Sequence, residues 1–220
     1  MSDAAPSAAD AADVARRFEP RAGDALLVID VQRDFCAGGA LEVPDGDAVV
    51  AVANALMPRF EAVVLTQDFH PAGHSSFASE HPGRAPYETV SMAYGEQTLW
   101  PDHCVIGTAG ADFHPALDTR HAQVVVRKGF RRAVDSYSAF RENDRATTTG
   151  LAGWLRERGV RRTVLVGLAL DFCVAYSARD ARREGFEALV LEGGCRGIDL
   201  GGSVEAARRE MREAGVELAA

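Results

Sequence analysis

Short, continuous apolar runs rich in Val, Leu and Ile alternate with helical patterns along this chain, and that alternation limits the folds open to it. Ala25-Leu-Leu-Val-Ile-Asp30 has no polar residue between its ends. A strand of this kind is buried on both faces, as in parallel sheets, whereas a half-exposed antiparallel strand alternates. Further strands are expected at 62–66, 123–127, 162–167 and 187–191, with a last one at 216–218. Helical patterns fall between them at 47–60, 149–158, 174–184 and 203–213, the second and third ending at Gly159 and Gly185. The reading is α/β: one domain with a doubly wound, mostly parallel sheet and helices on both faces. Residues 69–122 break the rhythm and are rich in Pro, Gly and His. A stretch that long in a compact domain is disordered or functional, and its histidines and aromatics favour function.

The chain has 220 residues, enough for one large domain with a real core. Residues 1–22 read as a flexible extension, with at most a short helix near 10–18, and 23–220 as the domain. The formal charge of −8, without a basic run, argues against nucleic acid or an anionic membrane as partner. No apolar stretch approaches the ~18 residues of a membrane span. The N-terminus lacks the basic and apolar segments of a secretory signal. The four cysteines are widely spaced and form no C-x-x-C, so reduced thiols in a cytoplasm are expected.

Open parallel sheets bind ligands beyond the carboxyl ends of their strands. Those ends carry Asp30 after the first strand, Asp68 after the second, Lys128 after the third and Cys173 a few residues past the fourth. Cys173 sits where a loop enters a helix. A helix N-terminus and a nearby cation both favour thiolate, the nucleophilic form. Lys128 is a candidate for the cation, and Asp30 for the group that takes the thiol proton and returns it to a leaving amine. The amides of Ala169 and Cys173 are candidates for an oxyanion hole. Against this stand ordinary roles: a small buried hydrophobe for Cys173, a capping carboxylate for Asp30, a solvated charge for Lys128.

Thr66-Gln-Asp68-Phe-His70-Pro-Ala-Gly-His74 continues from the second strand, and His103 follows in the same long segment. Imidazoles with one carboxylate suit a borderline divalent ion: zinc first, then iron(II) or manganese. A structural site would favour a thiolate-rich closed shell, so this donor set points to a metal in a reaction site. Phe35 and Trp100 lie in loops where a flat substrate ring could stack. For Tyr137, core packing and substrate contact are equally open.

These residues stand in blocks that, together, resemble the nicotinamidases (pyrazinamidases) among the isochorismatase-like cysteine hydrolases. The blocks are ALLVIDVQRDFCAGGAL from Ala25, TQDFHPAGHSSF from Thr66, LWPDHCVIGTAGADFH from Leu99, VVVRKGF from Val124, DSYSAF from Asp135 and VGLALDFCVAYSA from Val166. The resemblance spans nearly everything from Gly23 to Val216. It implies the isochorismatase-like hydrolase fold, a catalytic triad of Asp30, Lys128 and Cys173, and metal ligands Asp68, His70, His74 and His103. It also implies a cis peptide at Leu168–Ala169, an oxyanion hole at Ala169 and Cys173, and a ring site of Phe35, Leu41, Trp100 and Tyr137. The implied reaction is hydrolysis of nicotinamide to nicotinate and ammonia, or of pyrazinamide to pyrazinoate, through a thioester on Cys173 in NAD salvage. The alternative is another amidase of this superfamily acting on a different small amide or carbamoyl compound. An isochorismate-cleaving relative would replace the nucleophile, which Cys173 speaks against. A homo-oligomer is left open. The chain departs from the family pattern at Leu170, Phe172 and Gly193-Gly194.

Overall fold

The computed structural model describes residues 14–219. Six strands form one sheet: β1 (Asp24–Ile29), β2 (Ala62–Asp68), β5 (Val124–Lys128), β6 (Arg162–Leu168), β7 (Glu187–Arg196) and β8 (Glu217–Ala219). They lie in the order β5-β2-β1-β6-β7-β8 and every neighbouring pair is parallel. The three central strands, β2, β1 and β6, are buried along their whole length, which accounts for their uninterrupted apolar runs.

The chain builds outward from β1 to β2 and β5, then returns to place β6 on the other side of β1. The reversal puts a switch point between β1 and β6, the place where open α/β sheets leave a crevice. Crossovers on the two sides run in opposite directions, and their right-handedness sends helices to opposite faces. Helix α1 (Ala48–Leu56) reaches β6 and β7 from one crossover, and α3 (Ala175–Arg183) packs on the same strands from another. The remaining helices are α2 (Leu151–Glu157) and α4 (Ser203–Glu213). Among the described residues, no helix is long and apolar enough to cross a membrane.

Differences from expectation concern boundaries. Helix α1 gives way to a 3-10 turn at Met57–Arg59, because Pro58 has no amide hydrogen to continue it. Strands β2 and β5 run to Asp68 and Lys128, so these residues close their strands and lie paired in register. Strand β7 is twice the expected length and takes in Gly193, Gly194 and Cys195. Both glycines allow close packing: a Cβ on Gly193 would lie 2.5 Å from Val14 Cγ2, and one on Gly194 2.7 Å from Val166 Cγ1. This is the physical content of the Gly193-Gly194 departure. The segment 69–122 carries an antiparallel hairpin, β3 (Thr89–Met92) and β4 (Gly95–Thr98), that hydrophobic patterning does not reveal because its residues are mostly polar and half exposed.

Of the expected N-terminal extension, residues 1–13 lie outside the described residues. Residues 14–17 are helical and Ala15 is buried, while Phe18 stacks on Phe60 with ring centroids 5.9 Å apart.

Candidate active site

Each catalytic candidate is delivered by a strand end. Asp30 is the first residue past β1 and turns into the left-handed region with φ 46°, a conformation that costs a non-glycine residue and recurs at functional sites. Its amide donates to Thr66 Oγ1 at 3.0 Å, and that hydroxyl donates back to Asp30 Oδ1 at 2.6 Å. Lys128 closes β5 across β2, and Gly129 then turns away with φ 68°. A Cβ there would lie 2.5 Å from His70 Cε1, so only glycine fits. Beyond β6, the Leu168–Ala169 peptide is cis. A single π-helical turn, Leu170–Val174, then leads into α3 and carries Cys173.

These side chains meet around one ammonium. Lys128 Nζ is 2.9 Å from Asp30 Oδ2 and 3.1 Å from Asp68 Oδ1; it donates to Ser136 O at 2.9 Å and to Cys173 Sγ at 3.4 Å. Lys128 and Asp30 are wholly buried. Burial works against charge on Lys128, but Asp30, Asp68 and Cys173 outweigh it and hold the ammonium well above its ordinary pKa. Burial pushes the Asp30 carboxyl up, with Lys128 opposing.

The cation expected to favour thiolate does not act on Cys173 alone. Burial drives Cys173 well above the ordinary thiol range; Lys128 pulls it down, but Asp30 and Asp68 push it up again. Two carboxylates share the one ammonium, which weakens its pull on the sulfur.

Beside the triad, His70 Nε2 and His103 Nε2 stand 3.1 and 3.3 Å from Asp68 Oδ2. The other ring nitrogens are already committed: His70 Nδ1 to Gly129 O at 2.9 Å and His103 Nδ1 to Pro101 O at 2.8 Å. A carbonyl can only accept, so each ring carries a proton on Nδ1 and, when neutral, aims an Nε2 lone pair at a carboxylate. Three acceptors facing one another call for a cation, and a ring tautomer fixed by an outer carbonyl is how metal-binding histidines are held. The donor set fits a divalent transition ion. Burial opposes charge on His70, but Asp68 outweighs it and raises the imidazole.

His74, the fourth expected ligand, is arranged differently. Its Nδ1 lies 2.7 Å from Ser76 Oγ, and its Nε2 faces the carbonyls of Arg131 and Val134 at 3.0 and 3.2 Å. Its ring sits beside that of His70, with centroids 4.2 Å apart. Three of the four expected ligands therefore face one centre, and His74 buttresses it. Potential ligand atoms of His70, His74 and Asp135 also lie within 4.8 Å of one another.

Over Cys173, Asp68 and His103 opens a narrow recess. Phe35, Leu41, Trp100 and Tyr137 line it, all four expected. Asp135, Phe172 and Ile198 also line it and were missed. Phe172 stands edge-on to Trp100 and Tyr137, at 4.8 and 5.6 Å between centroids, so the departure at this position builds a wall of the recess. Asp135 lies in the block singled out for Tyr137, two residues away, and only the fold turns it inward. Ile198 is brought in by Asp171, whose carboxylate accepts from the amides of Ile198 and Asp199 at 3.0 and 2.9 Å.

A larger cavity, about 370 Å³, lies away from the triad beside Cys36, Asp47 and His114. These three are of ligand type and converge. Yet the Ala116 amide donates to His114 Nδ1 at 3.2 Å, while Nε2 faces Asp47 Oδ1 at 3.1 Å. With Nδ1 accepting, the neutral ring carries its hydrogen on Nε2, so neither nitrogen is left for a metal.

The family model described as Isochorismatase domain matches residues 24–220. The chain belongs to the isochorismatase family. Within it the chain is 50% identical over 193 residues to a nicotinamidase of Acinetobacter baylyi, covering 88% of this chain and 90% of the relative. The solved nicotinamidase/pyrazinamidase of Acinetobacter baumanii superposes with a TM-score of 0.89 at 50% identity, over 91% of this chain and 97% of the other. A pyrazinamidase of Pyrococcus horikoshii, solved in complex with zinc, gives a TM-score of 0.72 at 35% identity, over 89% and 98% of the two chains. In this family member, the parallel sheet and its switch point are those of an isochorismatase-like hydrolase.

Proposed function

We infer that this chain is a nicotinamidase, hydrolysing nicotinamide to nicotinate and ammonia and pyrazinamide to pyrazinoate. The observation that carries the reading is the meeting of Asp30, Cys173 and Asp68 around Lys128, beneath an aromatic recess. The 50% identity to a nicotinamidase supports the substrate class.

The proposed roles follow from the geometry. Asp30 takes the Cys173 proton as sulfur attacks the carboxamide carbon, and Lys128 offsets the carboxylate and thiolate in turn. Negative charge developing on the carboxamide oxygen is assigned to the amides of Ala169 and Cys173. As the C–N bond breaks, Asp30 returns the proton to the departing ammonia. The nicotinoyl thioester is then hydrolysed: Asp30 accepts a proton from water as hydroxide adds to the carbonyl, and the proton goes back to the Cys173 sulfur as it leaves. Phe35, Leu41, Trp100 and Tyr137 are assigned to hold the ring.

Asp68, His70 and His103 would hold a divalent ion, with His74 behind His70. Zinc is proposed, on the nitrogen and oxygen donors and the zinc-bound relative. Once bound, it would supply a Lewis acid able to take a ring-nitrogen lone pair. A cytoplasmic location is proposed on the four cysteines, all free and buried.

The deciding experiment is ammonia release from nicotinamide, pyrazinamide and a panel of unrelated amides, with Cys173→Ala as control. Nicotinamide should be among the best substrates, and the variant should lose at least ~10⁴-fold in kcat while keeping its fold and metal content. Preference for an unrelated amide would move the chain to another amidase class. Substantial turnover by Cys173→Ala would refute the nucleophile.

A further inference from the structure

The β3–β4 hairpin belongs to neither the sheet nor the triad, yet it drives one side chain into the wall of the recess. Gln97, on β4, is 1% exposed. Its Nε2 lies 2.7 Å from Asp135 Oδ2, 2.8 Å from Tyr137 Oη and 2.7 Å from Thr98 O. Its Oε1 accepts from Tyr94 Oη at 3.1 Å and from Asn143 Nδ2 at 3.3 Å. A carboxylate and a carbonyl can only accept, so the amide orientation is set by its partners. Trp100 Nε1, which can only donate, reaches the same phenol oxygen at 3.0 Å.

We propose that Gln97 is a positioning residue for substrate binding, acting through Tyr137 and Asp135. The Gln97 carboxamide has two N–H hydrogens for three acceptors, so Tyr137 Oη shares one of them; with the Trp100 Nε1–H donated to the same oxygen, the ring of Tyr137 is held in place and its own hydroxyl hydrogen is directed away from both. Trp100 and Tyr137 are tied to each other and, through Gln97, to Asp135, which faces the metal centre. One buried carboxamide thereby sets the spacing between the aromatic wall and the ligand cluster, the dimension a planar ring must match. None of its partners is Cys173, Lys128 or Asp30, so its effect belongs in binding and not in the chemical step.

The inference rests on the nicotinamidase reading, and its test separates the two. Gln97→Met keeps length and loses every hydrogen bond. Gln97→Glu keeps the acceptors, loses the N–H groups and sets a carboxylate against Asp135. Both should raise KM for nicotinamide about tenfold, as for one good hydrogen bond lost, with kcat within about twofold. Alkylation of Cys173 should proceed at the wild-type rate. Tyr137→Phe should raise KM as well, and the Gln97→Met/Tyr137→Phe double variant should do no worse than the larger single effect. Unchanged KM, fully additive effects, or a joint fall in kcat, alkylation rate and thermal stability would each overturn the proposal. Calorimetric binding of nicotinamide to Cys173→Ala protein, with and without Gln97→Met, repeats the comparison without turnover. Binding without hydrolysis by the wild type would end the activity reading alone, and no binding at all would end both.

Discussion

The recess has two halves built by different means. Its floor (Asp30, Thr66, Asp68, Lys128, Cys173) comes from strand ends whose positions are fixed by sheet register. Its walls (Phe35, Trp100, Asp135, Tyr137, with Gln97 behind them) come from loops and a hairpin. The floor concentrates charge: two carboxylates and one ammonium, all buried. The walls are apolar and aromatic, joined by neutral hydrogen bonds apart from the Asp135 carboxylate. Changes to the floor should therefore cost both stability and chemistry, and changes to the walls should cost mainly affinity.

The sharpest way to break this contrast is Lys128→Met, which leaves two buried carboxylates facing each other. Removing one member of a buried ion pair typically costs about 3–5 kcal/mol, read here by denaturant unfolding, and turnover should fall below detection. A variant of wild-type stability with measurable turnover would show that the ammonium organises nothing. Next is Asp30→Asn, where two opposing effects decide. Loss of the Asp30 charge removes one of the influences that raise the Cys173 thiol. If Asp30 acted only as a charge, Cys173 would alkylate faster in the variant. If it is the proton acceptor, alkylation should slow and kcat/KM should fall about 10²–10⁴-fold. On the wall, Phe172→Leu removes two edge-on aromatic contacts, worth roughly 0.5–1.5 kcal/mol each. KM should rise a few-fold with kcat held; a large kcat loss would erase the distinction between floor and walls.

The same division explains what could be read from the sequence. Asp30, Asp68, Lys128 and Cys173 were legible because a continuous apolar run marks a buried parallel strand, and the residue at its carboxyl end is then committed to the crevice. The motif blocks added Phe35, Leu41, Trp100 and Tyr137. The family resemblance also supplied the cis peptide at Leu168–Ala169, which the structure has. Asp135, Gln97 and Ile198 escaped because no local pattern marks them: each faces the site through contacts 27 to 46 residues away in the chain. For His74, spacing cannot tell which way the imidazole turns; Ser76 and two carbonyls face its nitrogens, and its ligand atoms lie within 4.8 Å of those of His70 and Asp135. Lys128 alone would favour the Cys173 thiolate, but burial and the two carboxylates beside that one cation push the thiol the other way. Charge balance is a property of the assembled site and has no linear signature.

The smallest effect tests the finest feature of the floor, the Thr66 hydroxyl. It donates to Asp30 Oδ1 at 2.6 Å and accepts from the Asp30 amide, and it is one of the interactions that hold the carboxyl down against burial. Thr66→Val keeps the shape and removes the donor, so the carboxylate loses support and its pKa moves further up. Asp30 must be ionised to accept the thiol proton, so kcat/KM rises with pH through that pKa, and the acid limb should shift to higher pH in Thr66→Val. The plateau rate should change little, because the proton-accepting group is retained. Stability should fall by about 1 kcal/mol, since the Asp30 amide loses its acceptor, read as a lower Tm. An acid limb that stays in place would mean that a group other than Asp30 controls it, and the floor's proton carrier would have to be sought between Lys128 and Asp68.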